Sequence, residues 1–165
     1  MNQAEAQRLW RYEPDTGKLY WRIAPRKGVS VGAEVRSFDG RYLNVKYKKK
    51  KYSVHRVVWL LMCGVWPPKH MDHLNGDTTD NRFSNLRLAT ARQNSYNRHK
   101  RPANKTGYRG VYFAGNGSTR YRARIRVNGK LTDLGYYDDP RNAHAAYCFA
   151  ACELHGEFVN LERTV

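Results

Sequence analysis

Residues 71–94 read MDHLNGDTTDNRFSNLRLATARQN, and the organisation of the chain follows from this stretch. Short apolar runs at 71–74 and 86–90 bracket a polar stretch at 75–85 that is rich in Asn, Asp and Gly, so we expect a strand, a loop, a second strand and then a helix at 91–98. Asn is a poor helix-interior residue because its amide competes for backbone groups, so Asn94 inside that helix needs a reason. Cation binding supplies one. A carboxylate (Asp72) and an amide oxygen (Asn94) are hard ligands, and two protein ligands plus waters suit Mg²⁺, which gives up its hydration reluctantly. Neighbouring residues of a strand face opposite sides, so His73 is free for a proton-transfer role separate from the metal.

Upstream, Val54, Val57, Val58 and Leu61 follow i, i+3, i+4, i+7, and Gly64 with Pro67 and Pro68 supplies a stop. A buried helix over 54–63 is expected. Residues 18–52 read as short strands at 18–23 and 33–37, a pair flanking the Asp39-Gly40 turn, and an alternating strand from Tyr42. Two readings of the lysines at 48–51 stand open: a grip on phosphates, or a solvated hairpin tip.

Downstream, residues 99–107 (HKRPANKTG) lack apolar periodicity and read as a linker. Beyond them, 109–114, 119–127 and 130–136 read as three antiparallel strands, the last two joined by Asn128-Gly129. Asp138 or Asp139 with Pro140 starts a helix whose Ala143, Ala146, Tyr147 and Ala150 form one face. In the middle strand Arg120, Arg122, Arg124 and Arg126 alternate with Tyr121, Ala123, Ile125 and Val127. Four guanidinium groups thus share one face over about 20 Å, and no acid intervenes along that strand.

Charge agrees with this division. The 165 residues carry 30 Lys and Arg against 14 Asp and Glu, a formal net charge of +16. The excess is +8 over 1–52, +5 over 53–101 and +3 over 102–165. All three parts are basic, which points to a polyanion lying along the whole molecule. Hydrophobic residues at 41% exclude a disordered basic tail. The longest apolar run, 57–66, is too short for a bilayer, and 1–11 lacks the apolar core of a secretory signal. Cys63, Cys148 and Cys152 contain no C-x-x-C pair, which argues against a disulfide framework and a four-thiolate zinc site. A reducing cytoplasm, prokaryotic or phage-infected, is expected.

The segments His55-Arg56-Val57-Val58, Asp72-His73-Leu74-Asn75-Gly76-Asp77, Asp80-Asn81-Arg82, Ser84-Asn85-Leu86-Arg87 and Gln93-Asn94 resemble the HNH endonuclease family, in the variant with Asn in place of the last His that looks like the phage homing-type branch. The resemblance implies a ββα-metal unit over 53–101 in which Asp72 and Asn94 hold one divalent cation, Mg²⁺ or Mn²⁺. It also implies that His73 deprotonates the attacking water and that Asn85 pins the loop and orients His73. Arg87 or Arg92 would brace the phosphate, and His55 is read as packing beside the site rather than acting in catalysis.

Tyr108-Arg109-Gly110-Val111, the Arg strand, Leu134-Gly135-Tyr136-Tyr137 and GEFVNL at 156–161 resemble the Apetala/ERF-type DNA-binding domain over 105–162. That implies a sheet in the major groove with Arg109, Tyr112, Arg120, Arg122, Arg124 and Arg126 as contacts. Phe113 and Asp133 depart from the plant pattern. The expected whole is therefore α+β: a β-rich basic segment (1–52), the nuclease unit (53–101) and a three-stranded sheet on one helix (105–162). It would act as a monomer on double-stranded DNA, with no membrane. The alternatives are a non-cleaving DNA-binding regulator, and an RNA-binding basic protein, for which base-stacking aromatics on an exposed sheet are the missing signature.

Overall fold

Trp10, Leu19, Trp21, Val45, Val57 and Leu86 lie far apart in sequence, yet all are buried in one cluster. That cluster defines the first of two units, Met1–Asn94 and Ser95–Val165. The computed structural model describes residues 1–96, 105–115 and 117–159. The expected helix end at Arg98, most of the 99–107 linker with His99, and the last residues of the 105–162 unit lie outside the described residues.

In the first unit, Asn2 caps helix α1 (Gln3–Leu9) by accepting from the Glu5 N–H at 2.9 Å, and Ala6 and Leu9 are its buried face. This helix was not anticipated, so the segment 1–52 is not purely β. Strands β1 (Trp10–Glu13) and β2 (Lys18–Trp21) form an antiparallel hairpin with Trp10 opposite Trp21. A second hairpin pairs β3 (Asn44–Tyr47) with β4 (Lys50–Ser53). Its tight turn falls at Lys48 and Lys49, both at positive φ, and not at Asp39-Gly40. Burial of Val45 on β3 fixes the register, and the turn chemistry follows it despite the cost of positive φ in lysine. The lysines at this solvated tip have acidic neighbours: Lys48 pairs with Glu5 at 3.0 Å and Lys51 with Asp39 at 2.5 Å. Residues 33–37 give only an isolated bridge between Tyr20 and Glu34, not the expected strand. Phe38 and Leu43 likewise make a single bridge around Asp39-Gly40, where Asp39 accepts from the Arg41 and Tyr42 N–H groups.

Helix α2 (Val54–Cys63) has the expected bounds and ends on Gly64 in the left-handed region. Leu60, more deeply than Leu61, completes its buried stripe. Strands β5 (Met71–His73) and β6 (Leu86–Leu88) pair antiparallel, and helix α3 (Ala91–Tyr96) follows.

In the second unit, β7 (Val111–Phe113), β8 (Tyr121–Val127) and β9 (Lys130–Tyr137) form an antiparallel sheet in that order. Ala123 and Ile125 are buried on one face of β8 while Arg122, Arg124 and Arg126 occupy the other. Helix α4 (Pro140–His155) packs on the apolar face, its start capped by Asp139 accepting from the Arg141 N–H at 2.7 Å. Its most deeply buried seam is Ala143, Tyr147 and Ala151, an i, i+4, i+8 line, with the expected Ala146 and Ala150 half-buried beside it. Close approach requires Gly110: it sits at φ +76, and an added Cβ would lie 2.0 Å from the Tyr147 ring. Among the described residues, no helix is long and apolar enough to cross a membrane.

Gly110→Ala combines backbone strain with that ring clash. It should destabilise the second unit by about 1–3 kcal/mol, read as a lower urea midpoint, whereas Gly115→Ala, which meets nothing within 4 Å, should not.

Candidate active site

Strand β5 places Asp72 and His73 side by side, both only 5% exposed, and β6 sets Arg87 directly opposite Asp72. Arg87 donates twice to one carboxylate oxygen, from Nε at 3.0 Å and from a terminal nitrogen at 2.7 Å. Burying a charge is costly unless it is paired, so this cross-strand bridge is what lets Asp72 remain in the interior. Arg87 thus braces a carboxylate here.

Helix α3 begins where Thr90 and Gln93 cap each other: the Thr90 N–H donates to the Gln93 side chain at 2.8 Å and the Gln93 N–H donates to Thr90 Oγ1 at 3.2 Å. One turn in, Asn94 donates from Nδ2 to the Met71 carbonyl at 3.2 Å. That bond ties the helix to the residue preceding Asp72 and explains an Asn in this helix without invoking a ligand. The same amide carries its oxygen on the other branch. Arg92 is exposed on α3. Among the described residues there is no group of three His, Cys, Asp or Glu suited to a metal. A cation at Asp72 would therefore be held by one carboxylate, the Asn94 amide oxygen and water, a hard-oxygen set that fits Mg²⁺ or Mn²⁺ and not a soft or thiolate-bound ion.

The loop between β5 and β6 is knit by its own polar side chains. Asn85 Oδ1 accepts from the Asn75 N–H at 3.0 Å, and its Nδ2 donates to Asn75 Oδ1 and to the Asp80 carbonyl. Asn85 therefore holds the loop together, and within that loop Asn81 meets the His73 ring. Asn81 is 1% exposed, and its Oδ1 lies 3.3 Å from His73 Nε2 while its Nδ2 donates to the Thr79 carbonyl at 3.0 Å. An amide oxygen has no proton to give, so the contact requires Nε2–H and leaves Nδ1 as the basic nitrogen of the neutral ring. Burial pushes the His73 pKa below its ordinary value, opposed by the Asn81 bond and by Asp72, Asp77 and Asp80. The ring is then neutral near pH 7.

Two features reach this loop from the N-terminal hairpin. Tyr12 on β1 donates its hydroxyl to the Asn81 carbonyl at 3.1 Å and accepts from the Phe83 N–H at 2.8 Å. Gly17, in the β1–β2 turn at φ +72, lies so close that an added Cβ would be 2.4 Å from Arg82 N. The Asp15-Thr16-Gly17 turn has ordinary turn chemistry, and no local signal in the sequence says what it rests on. On the other side, Arg56 of α2 donates to the Pro67 and Pro68 carbonyls, each at 3.0 Å, and so holds the approach to β5.

His55 sits beside His73 with ring centroids 5.3 Å apart, and Tyr42 lies 4.8 Å from His55 and 6.2 Å from His73. It is 8% exposed, and its Nδ1 has no hydrogen-bond partner among the described residues. Burial first, then repulsion from His73, Arg56 and Arg41, pushes its pKa down to about 3. His55 is thus buried, neutral near pH 7 and packed against the rings of Tyr42 and His73.

On the second unit, the arginine face is not free of acids. Asp133 of β9 pairs with both Arg122 and Arg124, and Arg120 lies 2.9 Å from Asp138. The expected mutual repulsion is thus relieved within the chain. Arg126 donates to the Gly129 carbonyl at 2.6 Å. Arg109 stands 6.0 Å from the Tyr147 ring centroid and shares an open cavity of about 290 Å³ with Tyr112, Arg124 and Arg126. Tyr112 and Tyr136 are both about half exposed in register with Arg122, so part of the aromatic signature of the RNA reading is present.

Residues 52–96 match the family described as HNH endonuclease. An uncharacterized HNH endonuclease of Acanthamoeba polyphaga mimivirus is 32% identical over 116 residues, which is 69% of this chain. The chain spans 59% of the length of that relative. No solved structure matches it. The likeness to HNH endonucleases thus falls on residues 52–96; both matches support a nuclease, and HNH nucleases generally use a divalent metal.

Two outcomes test this geometry. Tyr12→Phe should speed amide hydrogen exchange at Phe83 and across the 75–85 loop by roughly ten- to a hundredfold, because it removes the hydroxyl that joins the Asn81 carbonyl and the Phe83 N–H. Unfolded His55 takes a proton near pH 6.5 and folded His55 only near 3, so stability should fall as pH drops through that window. Denaturation at stepped pH should show a shallower decline for His55→Gln.

Proposed function

We propose that the chain is a metal-dependent endonuclease that hydrolyses phosphodiester bonds in double-stranded DNA, with site preference set by its C-terminal unit. The observation that carries this reading is the buried Asp72-His73 pair: a carboxylate locked by Arg87 beside a neutral imidazole locked by Asn81. In this reading His73 Nδ1 accepts a proton from water. The water oxygen bonds to phosphorus, the P–O3′ bond breaks, and the departing O3′ takes a proton from solvent water, leaving 5′-phosphate and 3′-hydroxyl ends. Asp72 and the Asn94 amide oxygen would hold Mg²⁺ or Mn²⁺, which when bound neutralises charge on the phosphoryl and leaving oxygens. Asn85 keeps the loop closed behind His73, and Arg92, exposed on α3, would meet a phosphate.

The second unit is proposed as the reader, with Arg109, Tyr112, Arg120, Arg122, Arg124 and Arg126 facing DNA. The family match ends at residue 96, so the likeness to an Apetala/ERF-type domain rests on the residues quoted above and on a three-stranded sheet packed on one helix. A monomer on an extended site follows from one cutting and one reading unit per chain. The viral source of the relative is compatible with a phage or viral homing enzyme acting in an infected cell.

A non-cleaving regulator is the second reading, and one observation favours it: the double hydrogen bond from Arg87 already satisfies one oxygen of Asp72. Nicking of supercoiled plasmid in Mg²⁺ decides between them. The endonuclease reading expects nicked product, and a loss of at least roughly a hundredfold in His73→Ala. Tight DNA binding without breaks in either Mg²⁺ or Mn²⁺ would select the regulator.

A further inference from the structure

The arginine strand raises a question that its charge alone does not answer: why one carboxylate sits in the middle of it. Along β9, Tyr136 lies opposite Arg122 and Gly135 opposite Ala123, but Asp133, not Leu134, lies opposite Arg124. Leu134 is therefore the extra residue of a β-bulge, next to Gly135 at φ +121. A regular strand would turn Leu134 toward the arginines and Asp133 toward α4. The bulge reverses this, sending Leu134 to pack against the core and Asp133 to the arginine face.

There Asp133 engages both neighbours, one oxygen on Arg122 and the other 3.0 Å from Arg124 Nε. The Arg122 guanidinium also stands 5.3 Å from the Tyr136 ring centroid. We propose that Asp133 holds Arg122 and Arg124 as a preorganised pair that reads guanine edges, while Arg126 and Lys130 at the hairpin end grip phosphate. The proposal rests on the reading that this sheet lies against DNA, and adds what its centre recognises.

The chemistry favours a base over a phosphate at the centre. Two guanidinium groups and a carboxylate sum to a single positive charge, and the carboxylate repels an incoming phosphate. Guanine offers two uncharged acceptors, N7 and O6, spaced for a guanidinium fork. A fork already held by an ion pair and an aromatic face loses less freedom on binding. Both Asp133 oxygens are engaged, so the carboxylate positions the readers and is not itself one. Arg126 is exposed without an acidic partner among the described residues, and Lys130 is exposed beside the Asn128-Gly129 turn. Those groups fit phosphates, which position a protein without specifying sequence.

The test is selection of the full chain, in EDTA to prevent cleavage, on a random-sequence duplex library. Wild type should enrich guanine at defined positions. Asp133→Asn, which keeps the shape, should reduce that enrichment roughly five- to tenfold while bulk DNA affinity holds or rises. Arg122→Lys, which keeps the charge but loses the fork, should do the same. Arg126→Ala with Lys130→Ala should instead lower bulk affinity and the salt slope by up to about two, leaving base preference intact. Unchanged enrichment in Asp133→Asn overturns the positioning role of Asp133, and a base other than guanine at the sensitive positions overturns the guanine assignment; neither result touches the reader assignment. If wild type retains no duplex DNA, the reader assignment itself falls, and this inference with it.

Discussion

The buried pairing of Asp72 with Arg87 across β5 and β6 is the interaction on which the first unit's chemistry depends. Strands of three residues offer little cross-strand area, and a carboxylate 5% exposed would be intolerable without a cation beside it. Removing one partner of a buried pair typically costs about 3–5 kcal/mol because the other is left uncompensated. The same pair fixes register: with Asp72 opposite Arg87, His73 falls opposite Leu86 and its ring is carried toward Asn81. Register and the proposed places of proton acceptor and cation ligand are thus consequences of one bridge.

Around it, support comes from distant parts of the chain. The polar loop is closed by Asn85, capped from outside by Tyr12 and Gly17, and approached through a segment held by Arg56. The core that runs from Ala6 to Leu86 makes these contacts permanent. The N-terminal segment and the motif-bearing segment therefore share one core, and the hairpin's turn is part of the site's wall.

What the sequence made legible were features with local causes. The strand, loop, strand and helix around Asp72, His73, Asn85 and Asn94 follow from turn chemistry and apolar runs, and the structure brings these residues into one small region. The 54–63 helix and the Asn128-Gly129 hairpin follow from spacing and from positive φ. What escaped had long-range causes. Nothing near Tyr12 says its hydroxyl meets residues 81 and 83. The Lys48-Lys49 turn has worse local chemistry than Asp39-Gly40, and forms because Val45 must be buried. The contact between Asn81 and the His73 ring had no sequence signal of its own, because several Asn share one loop and spacing does not rank them. The bulge that brings Asp133 onto the arginine face interrupts the period-two pattern on which the reading of β9 relied.

In the proposed function Asp72 and Asn94 together hold one hard divalent cation. Diffraction from crystals of the full chain grown with Mn²⁺, collected at the manganese edge, tests it directly. The account predicts an anomalous peak in contact with the Asp72 carboxylate and the Asn94 amide oxygen, lost in Asp72→Asn. No peak there, with Arg87 still bonded to Asp72 at saturating Mn²⁺, would contradict it.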